Sequence, residues 1–391
     1  MTRGSIRKHA RDTGVRYEVV VDLGIDPISG KRRQRSKSFP TKREATAALT
    51  TWLAEIDGGT AVERSRQTVG ELLRYWLDTY ARHNVRAKTC DDYERTITLH
   101  ITPALGTVAV QKLTAADLQA FYGRMLQDGR GPRTVQICHQ RLSQALDQAV
   151  SLGLVARNVT DAVKPPRVET KEMETWDAAQ AQRFLSVAHG SAYGPIWLVF
   201  LATGMRKGEV LGLRWQDADL VRQVLHVRQT VGVLRGRVEV KPPKSKAGRR
   251  EVPIPAPVVA ALQAHRARQN ERRLALGEAW NDHDLIFPSA TGNPLHPSGL
   301  LDDYNRLVKR AGLPHVRIHD LRHTHVTLAI AAGANLKAVS KRVGHARASI
   351  TMDLYAHALP EQQAEVSDKI GSVLFPEDPV GVPGATFLDH P

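Results

Sequence analysis

The stretch "IHDLRHTHVT", Ile318 to Thr327, gathers three histidines, an arginine and an aspartate. On a helix His319 and His323 stand four apart and share a face, the spacing of two zinc ligands in an H-x-x-x-H pair. The same helix sets Arg322 three residues from His319, and an arginine fork beside an imidazole suits the non-bridging oxygens of a phosphate. The rest of the chain decides between metal and phosphate.

Composition leans toward phosphate. The 391 residues carry 55 Lys and Arg against 40 Asp and Glu, a formal net charge of +15 and a pI near 10.0, which suits a protein that approaches a polyanion. A basic membrane-surface protein is the competing class, but no segment reaches the roughly 18 apolar residues of a membrane span. The longest apolar run, "PIWLVFLA" at Pro195 to Ala202, reads as a buried helix. The N-terminus "MTRGSIRKHARDTG" has no apolar core, so it reads as neither signal peptide nor anchor. Cys90 and Cys138, the only cysteines, exclude a disulfide framework or a four-cysteine zinc site and point to a reduced, cytoplasmic setting.

The pattern predicts a multidomain, mainly α chain. Residues 1–62 open with the alternating "YEVVVDL", the turn "DPISGK" and the basic "KRRQRSKSF", then a helical stretch closed by Gly58 and Gly59. They read as a small β-sheet-plus-helix domain. Its basic run offers Lys31, Arg32, Arg33, Arg35 and Lys37 as DNA contacts; a solvated surface is the plainer account of such a run.

Residues 66–162 read as an all-helical domain. It begins with the capping box of Thr68 and Glu71 and an apolar stripe through Leu72, Leu73, Trp76 and Leu77, best explained as core. Pro165 and Pro166 mark a linker. Residues 170–375 form a third domain, mostly helical around a small antiparallel sheet, and the proline- and glycine-rich 376–391 reads as a disordered tail. In the third domain "KPPKSKAGRR", Lys241 to Arg250, carries five basic residues and no acid, and is placed at a hairpin tip.

"ATGMRKGEVLGLRWQDADL", the lysine stretch, and "IHDLRHTHVTLAIAAGANLKAVSKRVGHARASITMDLYAHAL" together resemble the tyrosine recombinases, specifically phage-type integrases. The ordered set of Arg, Lys, His-x-x-Arg, Gly-His and Tyr carries the resemblance. The two preceding domains are similar in pattern to the family's arm-type and core-type DNA-binding domains.

The resemblance implies site-specific strand breakage and rejoining in DNA. Tyr355 is the implied nucleophile, a phenol that needs cationic neighbours to react near neutrality. Arg206 and Arg322 are the implied phosphate clamp, with Glu209 as the supporting acid. For Arg206 alone, an ion pair with Glu209 in the same helix is the plainer account. Lys244 or Lys246 would be the general acid for the departing 5′-oxygen, Lys244 being the better match; Arg249 lies beside them as a DNA contact. His319 is implied as a phosphate donor or proton-transfer partner and His345 as a phosphate hydrogen-bond donor. His323, His325 and His357 are left as structural or supporting residues.

A complete phosphate-clamp set answers the opening question. The position after His319, where an H-E-x-x-H metalloprotease carries its glutamate, holds Asp320, and no third zinc ligand is evident. No cofactor and no metal are implied. The implied partners are double-stranded DNA attachment sites and a homotetramer on two duplexes, with room for control by a directionality factor and a host DNA-bending protein. A chromosome- or plasmid-resolving recombinase and a catalytically idle DNA-binding regulator on the same fold are the alternatives. With many Lys and Arg on phosphate, log affinity for DNA should fall steeply and linearly with log salt; equilibrium binding between 50 and 200 mM salt, the range over which roughly 10³-fold losses are usual, measures the slope.

Overall fold

The computed structural model describes residues 4–11, 14–25, 32–57, 65–169, 173–243, 246–344 and 362–374. The chain forms two compact units, Met1–Thr170 and Lys171–Pro391.

In the first unit, β1 (Gly4–Arg11), β2 (Gly14–Ile25) and β3 (Arg32–Phe39) make an antiparallel sheet in the order β1-β2-β3, and α1 (Lys42–Asp57) follows. Val19 and Val21 are fully buried with Ala45 and Trp52 of α1, so alternate residues of β2 face the helix. Val19 pairs with Lys37 and Val21 with Arg35. Directly opposed residues share a face, so these two basic side chains lie on the helix-covered side.

The same unit contains a separate helical core. The Thr68 hydroxyl accepts from the Glu71 amide at 3.2 Å and the Glu71 carboxylate accepts from the Thr68 amide at 2.8 Å, starting α2 (Val69–Trp76) as the capping box requires. It continues through a π turn (Leu77–Ala81) into α3 (Arg82–Asn84). Then come α4 (Ala87–Thr96), a second π turn (Ile97–Ile101), α5 (Thr102–Leu105), α6 (Ala115–Gln127) and α7 (Pro132–Ser151). Leu72, Leu73, Trp76, Phe121 and Leu142 form the core with the free thiols of Cys90 and Cys138. The leucine and aromatic stripes are packing residues.

The second unit is built around an apolar helix. Its helices begin with α8 (Ala178–Ala188), α9 (Gly194–Thr203) and α10 (Lys207–Leu211), and α9 is buried on nearly every side. A helix without a polar face must lie inside a fold, and α9 packs against α8, α10, α11 (Ala256–Leu276) and α13 (Leu321–Ala331). Trp176, Phe184, Trp197 and Tyr304 of α12 (Leu301–Arg310) make an aromatic cluster beside it, with ring centroids 4.8–6.3 Å apart. The Trp176 indole donates to the Pro314 carbonyl at 3.0 Å and the Tyr304 hydroxyl to Val316 at 2.8 Å, so the polar ends of these rings are satisfied.

The strands of this unit make two small sheets. β4 (Ala218–Asp219), β5 (Val224–Val227) and β8 (Arg250–Pro253) pair in the order β4-β5-β8, while β6 (Thr230–Leu234) and β7 (Arg237–Lys241) form a hairpin. The hairpin tip is Arg235-Gly236, both with positive φ, as a two-residue turn between right-twisted strands demands. The basic run expected at a tip instead leads from β7 to β8. Periodicity located the strands but not which of them turn back directly. α14 (Leu336–Val343) and α15 (Gln362–Leu374) complete the described helices, and on α15 Val366, Ile370, Val373 and Leu374 are exposed. No described helix is long and apolar enough to cross a membrane.

Gly204 ends α9 in the left-handed conformation, φ 61°, where an added Cβ would stand 2.5 Å from the His325 ring. A Gly204→Ala variant should lose on the order of 1–2 kcal/mol from backbone strain alone, and more from the collision. Urea unfolding of the purified chain checks this.

Candidate active site

Four of the residues singled out in the sequence converge in the second unit. Arg206 is the N-cap of α10, and its amide donates to Glu209 Oε2 at 3.0 Å while its Nη1 donates to Oε1 at 2.8 Å. The ion pair expected as the plain account is therefore present. Glu209 is buried and Arg206 is left 42% exposed along its side chain, so the guanidinium reaches out from a fixed carboxylate.

His319 lies in a short 3-10 turn (Ile318–Asp320) that leads into α13, and Arg322 occupies the first turn of that helix. Asp320 is buried and accepts from Arg317 Nε at 2.8 Å and Nη2 at 3.1 Å, and from the Arg317 amide at 3.2 Å. That carboxylate is engaged in holding the turn. The His319 and His323 rings meet edge to face with centroids 5.7 Å apart.

Backbone carbonyls orient both arginines. Arg322 Nη1 donates to the Gly204 carbonyl at 2.9 Å, and Arg206 Nη2 to the Gly344 carbonyl at 3.1 Å. Both glycines are left-handed residues ending helices, Gly204 after α9 and Gly344 after α14. The end of α9 also receives His325 Nδ1 at Leu201 and Arg342 Nη2 at Ala202, each at 2.8 Å. The last carbonyls of a helix lack intrahelical partners and carry its negative pole, so the end of α9 attracts the guanidiniums of Arg322 and Arg342 and takes the Nδ1–H of a neutral His325.

The electrostatics follow from this crowding. Dense surroundings first, then the Arg322 guanidinium, with Arg206 among the smaller causes, hold His319 below its ordinary pKa although the residue keeps solvent exposure. The direction favours the neutral ring, with the Asp320 carboxylate acting against it. Burial pushes the Glu209 carboxyl up, but the hydrogen bond and charge of Arg250, with those of Arg206, outweigh it and hold the group below the usual carboxylate range. Burial depresses His325 to about 4, and its neutral Nε2 accepts from Arg342 Nε at 3.2 Å.

Other sequence candidates are placed differently. Lys244, His345, Tyr355 and His357 lie outside the described residues, as does Lys31. The backbone of Lys246 opens a 3-10 turn (Lys246–Gly248), and Arg249 is exposed beyond it. Arg32 and Arg33 pair through β3 with Ile25 and Gly24. The Arg35 guanidinium lies 4.2 Å over the Trp52 ring and the Lys37 ammonium 5.3 Å from the Phe39 ring. The open face of that sheet instead presents Arg7 and Arg16, with His9 bonded to Glu18 at 2.9 Å.

Sequence reasoning missed Arg250. Its Nη2 donates to Glu209 Oε2 at 2.9 Å. The signal was available in "RREVPI": Arg250 has the parity of buried Val252 and Ile254, while Arg249 and Glu251 point outward.

Three family models cover most of the chain: the phage integrase family over residues 175–362, the phage integrase N-terminal SAM-like domain over 68–126, and an arm DNA-binding domain over 5–56. The chain belongs to the phage integrase family of tyrosine recombinases. Among relatives, a XerC-like tyrosine recombinase of Caldanaerobacter subterraneus is 29% identical over 91% of this chain and 96% of its own. The ICEBs1 integrase of Bacillus subtilis is 26% identical over 92% and 97%.

Solved structures of this recombinase fold include the Tn1549 transposon integrase in complex with a circular intermediate DNA, TM-score 0.66 at 22% identity over 78% of this chain and 99% of that one. A lambda integrase dimer bound to a core site gives TM-score 0.56 at 17% identity over 89% and 93%. The recombinase is thus a tyrosine-type, site-specific strand-rejoining enzyme on a mainly α, multidomain fold.

The depressed His325 sets a pH window for stability. Above about pH 6.5 the ring is neutral both folded and unfolded. As pH falls, the unfolded chain takes up a proton that the folded site refuses down to about 4, so stability is lost across that interval. The melting temperature of the wild type should fall more steeply between pH 6.5 and 4 than that of His325→Gln, measured calorimetrically.

Proposed function

We propose that this recombinase integrates or excises a phage or other mobile element through a 3′-phosphotyrosyl intermediate, with its candidate site residues in the following roles. Arg206 and Arg322 bind the non-bridging oxygens of the scissile phosphate, where planar forks of fixed charge offset the charge that develops. Tyr355 Oη attacks phosphorus and the bond to O5′ breaks. The phenol proton passes to a base, for which the neutral His319 imidazole is suited, and O5′ takes a proton from Lys244 to leave as a 5′-hydroxyl. His345 donates a hydrogen bond to the phosphate.

The 5′-hydroxyl then attacks the matching intermediate on a partner duplex and frees the tyrosine. One phosphodiester has been exchanged for another, so no energy cofactor enters the balance. The observation that carries this reading is the convergence of Arg206, Glu209, His319 and Arg322, from two distant segments, around the ends of α9 and α14.

The arm DNA-binding match favours an integrase over a chromosome- or plasmid-resolving enzyme, because two linked DNA-binding modules gain avidity at distant sites. Lys31, Arg32, Arg33, Arg35, Lys37, Lys246 and Arg249 remain the proposed DNA contacts outside the clamp; Arg35 and Lys37 do so only from the rim of the helix-covered face. The lambda integrase tetramer bound to a Holliday junction supports a homotetramer on two duplexes. In that assembly the exposed apolar residues of α15 suit docking between protomers. Attachment-site DNA in the bacterial cytoplasm is the proposed setting, with a directionality factor and a host DNA-bending protein as accessory partners.

Incubating the protein in EDTA with labelled, nicked duplexes from the DNA flanking its own gene should give a covalent adduct that survives denaturation. Tyr355→Phe should abolish it while retaining DNA binding. An adduct that requires added divalent metal, or that persists in the variant, overturns the mechanism; binding with no adduct points to the idle regulator.

A further inference from the structure

Arg250 joins three chain segments at one buried point. Its side chain is 6% exposed and that of Glu209 4%. Nη2 donates to Glu209 Oε2 at 2.9 Å, Nε to the Arg342 carbonyl at 2.6 Å, and Nη1 to the Gly248 carbonyl at 3.3 Å. Glu209 belongs to α10 and also holds Arg206. Arg342 lies in the last turn of α14, two residues before Gly344, whose carbonyl receives Arg206. Gly248 closes the turn that follows the lysine-bearing connection. Packing around the point is close: a Cβ on Gly344 would stand 3.0 Å from Arg250 Nη1 and 2.9 Å from the Ala247 carbonyl.

We propose that Arg250 is a positioning residue for strand cleavage: through its three bonds it sets Arg206, the end of α14 and the turn before β8 in one fixed arrangement. This rests on the function proposed above. Arg250 is buried and acts through Glu209, not on the phosphate. Glu209 Oε1 accepts from Arg206 Nη1, and Oε2 from both the Arg206 amide and Arg250. Removing Arg250 leaves a buried carboxylate with Arg206 as its remaining cation, which draws the phosphate-binding guanidinium inward. A lysine keeps the charge but not the planar fork that reaches three acceptors.

The test compares wild type, Arg250→Met, Arg250→Lys, Glu209→Gln and the Glu209→Gln/Arg250→Met double variant on the nicked duplex that traps the adduct. Single-turnover adduct formation at saturating DNA, DNA affinity and melting temperature are measured for each. Arg250→Met should slow adduct formation by about 10²-fold, the scale of a 1 Å misplacement, with DNA affinity within about threefold because the loss lies in the chemical step. Arg250→Lys should recover part of the rate. The double variant should be no slower than the worse single variant, as residues acting through one bond are non-additive.

If Arg250→Met does not fold, Arg250→Lys and Glu209→Gln make the same comparison. A folded Arg250→Met that reacts at the wild-type rate, or whose deficit disappears at high DNA concentration, overturns the positioning role and leaves the function intact. A wild type that forms no adduct overturns the function itself.

Discussion

A carboxylate taken out of water is among the costliest groups a fold can bury, and the catalytic unit depends on one. Isolated, Glu209 would cost several kcal/mol; it remains ionised because two guanidiniums and a backbone amide surround its oxygens. The requirement works in both directions. The buried charge fixes where Arg206 and Arg250 stand, and they in turn fix the start of α10, the entry to β8 and the end of α14.

The second constraint is α9. With no polar face to give to solvent, it lies within the core, and its C-terminal carbonyls end inside the protein. Buried carbonyls without partners are not tolerated, so Arg322, His325 and Arg342 are drawn to them from α13 and α14. The hydrophobicity of one helix thereby gathers the positive charge that a phosphate needs. Burial and electrostatics, usually opposed, act together because the helix terminus supplies the negative pole.

Much of this was legible in the sequence. The stripes of the helical core and two of the arm sheet's three strands are patterned features, and such patterns report the face a side chain takes; the apolar run of α9 and the capping box at Thr68 were legible as local motifs. That Arg206, Glu209, His319 and Arg322 would meet was legible through the order of their motifs; the roles given to them are part of the proposed function. What escaped depended on partners distant in sequence. Arg250 appeared as one more charge in a basic run, although its strand parity turned it inward; that Arg35 lies over Trp52, on the side of the sheet that the helix covers, followed only from its register against Val21. Which strand followed the β6-β7 hairpin was hidden because alternation says where strands are, not how they pair.

Gly204 and Gly344 add an informational consequence. The atoms they offer to Arg322 and Arg206 are peptide oxygens, which every residue type possesses, yet only a residue without a Cβ turns the chain so that the oxygen faces the guanidinium. No pair of side chains can therefore covary to betray either bond. Part of the arginines' geometry is thus written in two positions where the side chain is missing, and a catalogue of side-chain pairs would pass over both.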